Sequence, residues 1–206
     1  GDVWALVRDT HYKPYPCCRW AHPSIDAAAE LMANHNLSHQ DISNVEIKTF
    51  HNATRLAGHT PANPDEFAYS IAFPVACMIV RGQVGVSELE NSALKDADIL
   101  RISKATRLID DPHLTQISKG KRWAQVSILM KDGSRHEAAP RTPRGDTDLP
   151  LSDADISQKF HLFTDPILGV SRANKIETLC SRFDQLDATG VQMLLDQLFF
   201  KPALQS

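Results

Sequence analysis

Every strand-like pattern in this chain lies before residue 140, and beyond Pro150 the apolar residues repeat only at helical spacing. This asymmetry constrains the fold most, because alternating βα units would scatter strands through to the end of the chain. The expected class is α+β. An antiparallel sheet with packed helices is predicted for residues 1–150, and a C-terminal helical segment for 151–206. The polar stretch Arg141 to Pro150, which contains Pro143, Arg144-Gly145-Asp146 and Pro150, is the boundary.

Within the first part, residues 3–12 alternate loosely and read as an extended segment. His22-Pro23 then opens a helix whose apolar positions Ile25, Ala28, Ala29 and Met32 form a narrow, Ala-rich face ending near Asn34 and Asn36. Val45 to Phe50 alternates as a half-buried strand. Asn63-Pro64-Asp65-Glu66 is a helix start with an N-cap candidate, Pro at N1 and acids in the first turn. The helix it predicts carries Phe67, Ile71, Val75 and Met78 towards Arg81-Gly82, and Pro74 must kink or break it. Ser87 to Glu90 reads as a capping box, Asp96 to Arg101 as a short helix and Ala105 to Ile109 as a strand. Trp123 to Met130 and Ser134 to Ala139 flank Lys131-Asp132-Gly133 and predict a hairpin, since Asp-Gly is a preferred tight-turn pair.

After the boundary, Ser152 and Asp155 cap a helix expected to reach Leu162. Ile176, Leu179, Cys180 and Phe183 mark a second helix, and Val191, Leu194, Leu195 and Leu198 a third. Their apolar stripes need a partner surface. They can cover the preceding sheet or dock on a larger helical body.

Composition narrows the function classes. With a net charge of −3 the chain has no cationic excess to displace counterions from a polyanion, so no nucleic-acid or membrane-surface partner is expected. No apolar run approaches the roughly 20 residues of a membrane helix. Gly1-Asp2-Val3-Trp4 has no secretory basic and apolar regions, which makes the cytoplasm the expected location. Cys17, Cys18, Cys77 and Cys180 are expected to be thiols; His35 and His39 stand four apart, but they flank the helix-ending Asn36-Leu37-Ser38 and are expected to be surface histidines, not zinc ligands.

The candidate for chemistry is Lys13-Pro-Tyr-Pro-Cys-Cys-Arg19-Trp-Ala-His22-Pro23, a proline-stiffened turn rich in cations. Such a turn suits an anionic ligand. Arg19 can hold a carboxylate bidentately or pair with an internal acid such as Asp26. His22 can transfer a proton or merely cap the helix after it. Arg144-Gly145-Asp146 reads as a turn with Gly at positive φ.

The Lys13 to Arg19 turn, His22-Pro23-x-Ile25-Asp26-Ala27-Ala28, Ser70-Ile71-Ala72-Phe73-Pro74-Val75-Ala76, Gly82-Gln-Val84, the Asp132-Gly133 hairpin, Arg144-Gly145-Asp146, Pro150-Leu-Ser152 and Lys159-Phe160 follow in order. In these motifs the chain resembles the C-terminal portion of the MmgE/PrpD family, whose members include 2-methylcitrate dehydratase, cis-aconitate decarboxylase and an iminodisuccinate epimerase. The resemblance implies lyase or isomerase chemistry on a small polycarboxylate, without a cofactor or metal. It also implies an α+β lid domain with C-terminal helices that return to a large helical domain, which has no counterpart here. The chain is then expected to supply half a site, to be inactive alone and to work as a homo-oligomer, as in a homodimer.

The same resemblance places Lys13 in the site, facing the substrate carboxylates; together with the residue chemistry above, Lys13 and His22 are the expected catalytic residues and Arg19, Cys18 and Phe73 the expected substrate-binding ones. Decarboxylase-like members have a His at the place of Cys18 and a Tyr at about Phe73, so decarboxylation is the least supported reaction. Dehydration of a 2-methylcitrate-like tricarboxylate leads, with epimerisation next. The alternatives are a non-catalytic module that binds a helical partner and a stand-alone binder of small carboxylates.

Overall fold

The computed structural model describes Asp2, Ala5 and residues 9–199. They fall into two compact units, residues 1–151 and 152–206. Of the extended segment expected at 3–12, residues 3, 4 and 6–8 lie outside the described set, and Ala5 and Asp9 are helical.

In the first unit a four-stranded sheet runs in the order β2-β1-β3-β4, formed by β1 (Ile42–Thr49), β2 (Thr106–Asp110), β3 (Ala124–Met130) and β4 (Arg135–Glu137). β1 with β3 and β3 with β4 are antiparallel, whereas β2 joins β1 in parallel, pairing Val45 with Thr106 through Thr49 with Asp110. The fold is the expected α+β, with a mostly antiparallel sheet in which β2 adds a parallel neighbour that the expectation of an antiparallel sheet did not include. A parallel neighbour needs a long crossover, and residues 50–105 supply it. Val45, Ile47 and Thr49 alternate into the interior, as the strand's period of two requires. At the hairpin, Gly133 adopts φ +90° while Asp132 Oδ1 accepts from the Ser134 N–H at 2.8 Å.

The helices of this unit are α1 (His22–His35), α2 (Pro64–Ala68), α3 (Ala72–Arg81), α4 (Asn91–Leu94), α5 (Ala97–Lys104) and α6 (Pro112–Ile117). α1 packs on β3 and α3, and α3 on α5. Far from a narrow stripe, α1 is buried all round its first two turns from His22 to Ala28, and it ends at Asn36 in the left-handed region at φ 49°. The helix predicted from Pro64 to Arg81 is in fact two. α2 begins as expected, with Asn63 Oδ1 accepting from the Glu66 N–H at 2.9 Å. It stops at Ala68, and Pro74 falls in the first turn of α3, where its missing N–H has no intrahelical acceptor to lose. Phe67 and Phe73, on opposite sides of the break, meet edge to face at 5.8 Å in the core.

The expected Ser87/Glu90 box is also corrected. The buried Glu88 carboxylate accepts from the Gly85 N–H at 2.7 Å, opening a 3-10 turn over Val86–Leu89. Gln83 donates to the same carboxylate at 3.2 Å, and Arg81 stands 3.5 Å away.

The second unit contains α7 (Asp153–Leu168), α8 (Val170–Cys180) and α9 (Ala188–Phe199). Ser152 and Asp155 cap α7 reciprocally, with Asp155 N donating to Ser152 Oγ at 3.1 Å and Ser152 N to Asp155 Oδ2 at 3.0 Å. α8 packs against both neighbours, and Ile176, Leu179 and Leu194 form a small core supported by Phe160, Leu168 and Leu186. Several large apolar side chains stay outside that core, among them Ile167 and Phe199. Among the described residues no helix is long and apolar enough to cross a membrane.

Candidate functional site

The turn from Lys13 to Pro23 is a chain of bends stiffened by Pro14 and Pro16, leading into the first turn of α1. Its backbone is tied at three places. Tyr12 N donates to Gly145 O at 2.9 Å, Cys18 N to Ala68 O at 2.7 Å and Ala21 N to Cys18 O at 2.9 Å. Lys13, one residue beyond the first tie, is exposed.

Two buried carboxylates fasten the side chains of the turn to the distant loop 144–146. Asp26, on α1, accepts from the Tyr15 hydroxyl at 2.6 Å and from Arg144 Nε at 3.0 Å, while Arg144 also reaches the Tyr15 oxygen at 3.4 Å. Asp146 accepts from Arg19 Nη1 at 3.1 Å, and His11 Nδ1 lies 3.0 Å from the same oxygen. Burial, reinforced by the Asp26 charge, pushes the Tyr15 hydroxyl well above the usual phenol range, so it stays a donor. Burial works against the charge on Arg144, but Asp26 and Tyr15 outweigh it and hold the guanidinium protonated. Arg19 therefore pairs with an internal acid, Asp146, and Asp26 is taken by Arg144 and Tyr15.

Gly145 makes this junction possible. It sits at φ +85°, and a Cβ there would stand 1.9 Å from the Tyr12 carbonyl oxygen. The positive-φ turn expected around this glycine is present, and the charges on either side of it are the braces. Sequence reasoning missed Asp26, Arg144 and Asp146 as site-building residues. The one available signal was the pair of opposite charges flanking a glycine, which local turn chemistry does not need.

The other expected site residues are placed differently. His22 is fully buried, its Nε2 is 3.2 Å from Cys17 O and its ring stands edge-on to Tyr15 at 5.2 Å. Its helix takes Ala21 as N-cap, without a side-chain capping bond. Cys17 is buried beneath the turn, where desolvation pushes its thiol up to about 12 against the opposing pull of Lys13. Cys18 is half-buried, and Phe73 lies wholly in the core. The turn therefore brings Lys13, Cys18, Arg19 and His22 together along one short segment, with Lys13 the most open to solvent of the four. Among the described residues no three His, Cys, Asp or Glu side chains converge as a metal centre would need.

A rigid turn that carries an exposed ammonium at Lys13 and a partly exposed guanidinium at Arg19 can neutralise carboxylates on a small ligand. The family model for the MmgE/PrpD C-terminal domain matches residues 15–185. The chain belongs to the MmgE/PrpD family. The matched span of this MmgE/PrpD domain takes in Tyr15, Arg19, Asp26 and the whole 144–146 loop, and it begins two residues after Lys13. No curated protein matches the chain significantly.

Proposed function

We propose that this chain is the lid part of an MmgE/PrpD-type enzyme that, completed by a helical domain, acts on small polycarboxylates. Dehydration of a 2-methylcitrate-like tricarboxylate is the leading reaction and epimerisation the next. The observation that carries the reading is the exposed Lys13 on a turn clamped through Tyr15–Asp26–Arg144 and Arg19–Asp146. Preorganised cations act most strongly where charge develops, and loss of a proton beside a carboxylate develops charge on oxygen. In this reading Lys13 neutralises a substrate carboxylate, the exposed part of Arg19 assists it, and Cys18 lines the approach. Fully enclosed, His22 holds the Cys17 carbonyl and so the shape of the turn. The acid and base that move protons at carbon come from the helical domain. Water leaves without net oxidation, so the reaction asks for no redox cofactor. All four cysteines are free thiols, which supports a reducing compartment such as the cytoplasm.

A second reading rests on the exposed apolar residues of α7–α9, Ile167 and Phe199 foremost, and makes the chain a non-catalytic module for a helical partner. One experiment separates the two. The chain is mixed with a family-type helical domain, association is followed by light scattering and turnover by assay of 2-methylcitrate and cis-aconitate. The enzymatic reading expects turnover that falls about 10²-fold or more with Lys13→Ala, the scale of losing one preorganised charge-stabilising donor. Association without turnover supports the module. An unchanged rate with Lys13→Ala refutes the role of Lys13.

A further inference from the structure

A cleft of about 380 Å³ in the first unit opens between Trp20, at the end of the turn, and the C-terminal end of α6. Trp20 and Phe50 form its apolar wall, their rings edge to face at 5.1 Å. The Arg122 guanidinium lies 5.7 Å from both ring centroids. Lys119 adds a second permanent cation to the lining, Asn52 a carboxamide, and no Asp or Glu lines the cleft. His51 stands at the edge, its Nδ1 2.7 Å from Asp110, so that acid is already matched. In a chain of net charge −3 this is a concave, electropositive surface.

Arg122 is unusual in how little of it is used. Nη1 donates to the carbonyls of Lys121 at 2.8 Å and Ser118 at 3.3 Å, closing the end of α6. Among the described residues its Nε is buried with no acceptor. A buried donor without an acceptor costs free energy, and the Nε–Nη2 edge of a guanidinium has the geometry of a carboxylate. An anion in the cleft can take N–H donors of the guanidinium that the Ser118 and Lys121 carbonyls leave unused. Meanwhile the ligand body rests on Trp20 and Phe50.

We propose that this cleft is a binding site for a small carboxylate, held by Arg122 and Lys119 against the Trp20–Phe50 wall. The proposal does not rest on the reading of Lys13. Benzoate and citrate, titrated into the 15N-labelled chain with inorganic phosphate as a control, test it. The expected result is saturable shifts at the amides of Asn52, Ser118 and Lys119 and the Trp20 indole N–H with one or both carboxylates at millimolar concentration. Saturation with benzoate marks an apolar-bodied ligand and with citrate a polycarboxylate. Arg122→Lys, which keeps charge but not the fork, should weaken binding about tenfold or more. Lys119→Glu, a surface change that leaves the α6 closure intact, should weaken it in the same direction. Three results overturn the proposal: no saturation up to about 20 mM, a regime too weak for a built site; saturation with phosphate alone; or shifts that vanish with Lys13→Ala and survive Arg122→Lys.

Discussion

Gly145→Ala tests whether the junction between the turn and the 144–146 loop holds the first unit together. At φ +85° an alanine must adopt the left-handed region, a cost of about 1–2 kcal/mol. Its Cβ would meet the Tyr12 carbonyl oxygen at 1.9 Å, so one backbone must retreat by more than an ångström. That retreat stretches the Tyr12 N to Gly145 O hydrogen bond, worth about 0.5–1.5 kcal/mol, and loosens the Arg144–Asp26 and Arg19–Asp146 contacts on either side. The sum is about 2–4 kcal/mol. Gly82→Ala and Gly133→Ala are internal controls, since both glycines have positive φ, +71° and +90°, yet nothing lies within 4 Å of a built Cβ. They should cost about 1–2 kcal/mol each, the backbone share alone. Urea unfolding followed by tryptophan fluorescence reads the difference directly, because Trp4, Trp20 and Trp123 all belong to residues 1–151. If Gly145→Ala costs no more than Gly82→Ala, the close approach to Tyr12 does not constrain the turn and the reasoning fails.

Asp26→Asn keeps the shape of the buried brace while removing its charge. With the Arg144 side chain 41% exposed, the loss should be about 1–2 kcal/mol in urea unfolding, below the figure for a fully enclosed pair. A change within about 0.5 kcal/mol would show that Asp26 is not a strut. In the second unit, His161 has Asp165 2.8 Å from Nδ1 and Glu177 3.0 Å from Nε2, so only the imidazolium, with two N–H donors, satisfies both. The carboxylates raise the pKa of His161, Asp165 foremost, and the Glu177 carboxyl is lowered by Ser157 and then His161. The contribution of His161 is complete below its unfolded pKa of about 6.5 and fades as pH rises through the higher folded value. That of Glu177 is present above its unfolded pKa and fades on acidification, so the clamp is fullest in mildly acidic solution. An NMR titration should place His161 above 6.5, with Glu177→Gln drawing it down; a value at or below 6.5 in the unmodified chain would refute the clamp.

Elements whose cause lies within a few residues are legible in the amino-acid sequence itself. Asn63 caps α2, Asp132-Gly133 turns the hairpin, Ser152 and Asp155 box the start of α7, and Gly145 takes positive φ, each because a side chain or a missing Cβ acts on its own neighbourhood. Expectation and structure part where two local accounts fit equally well. The periodicity from Phe67 to Met78 continues across Tyr69–Ile71 as if unbroken, and only the packing of Phe73 on Phe67 requires the chain to turn there. The cap expected at Glu90 falls on Glu88 because the competing carboxylates are two residues apart and burial chooses between them.

The candidate site divides along the same line. Sequence alone determined the family, the stiff cation-bearing turn and the position of Lys13 within it, since proline geometry and residue order are local properties. Tertiary structure decided that Arg19 answers to Asp146, 127 residues away, and Arg144 to Asp26, 118 residues away. It also decided that β2 runs parallel to β1, that His22 and Phe73 are enclosed, and that Arg122 stands beside two aromatic rings. Charges and strands carry no local record of their partners. Which acid meets which base depends on how the chain closes over distances that side-chain periodicity does not encode.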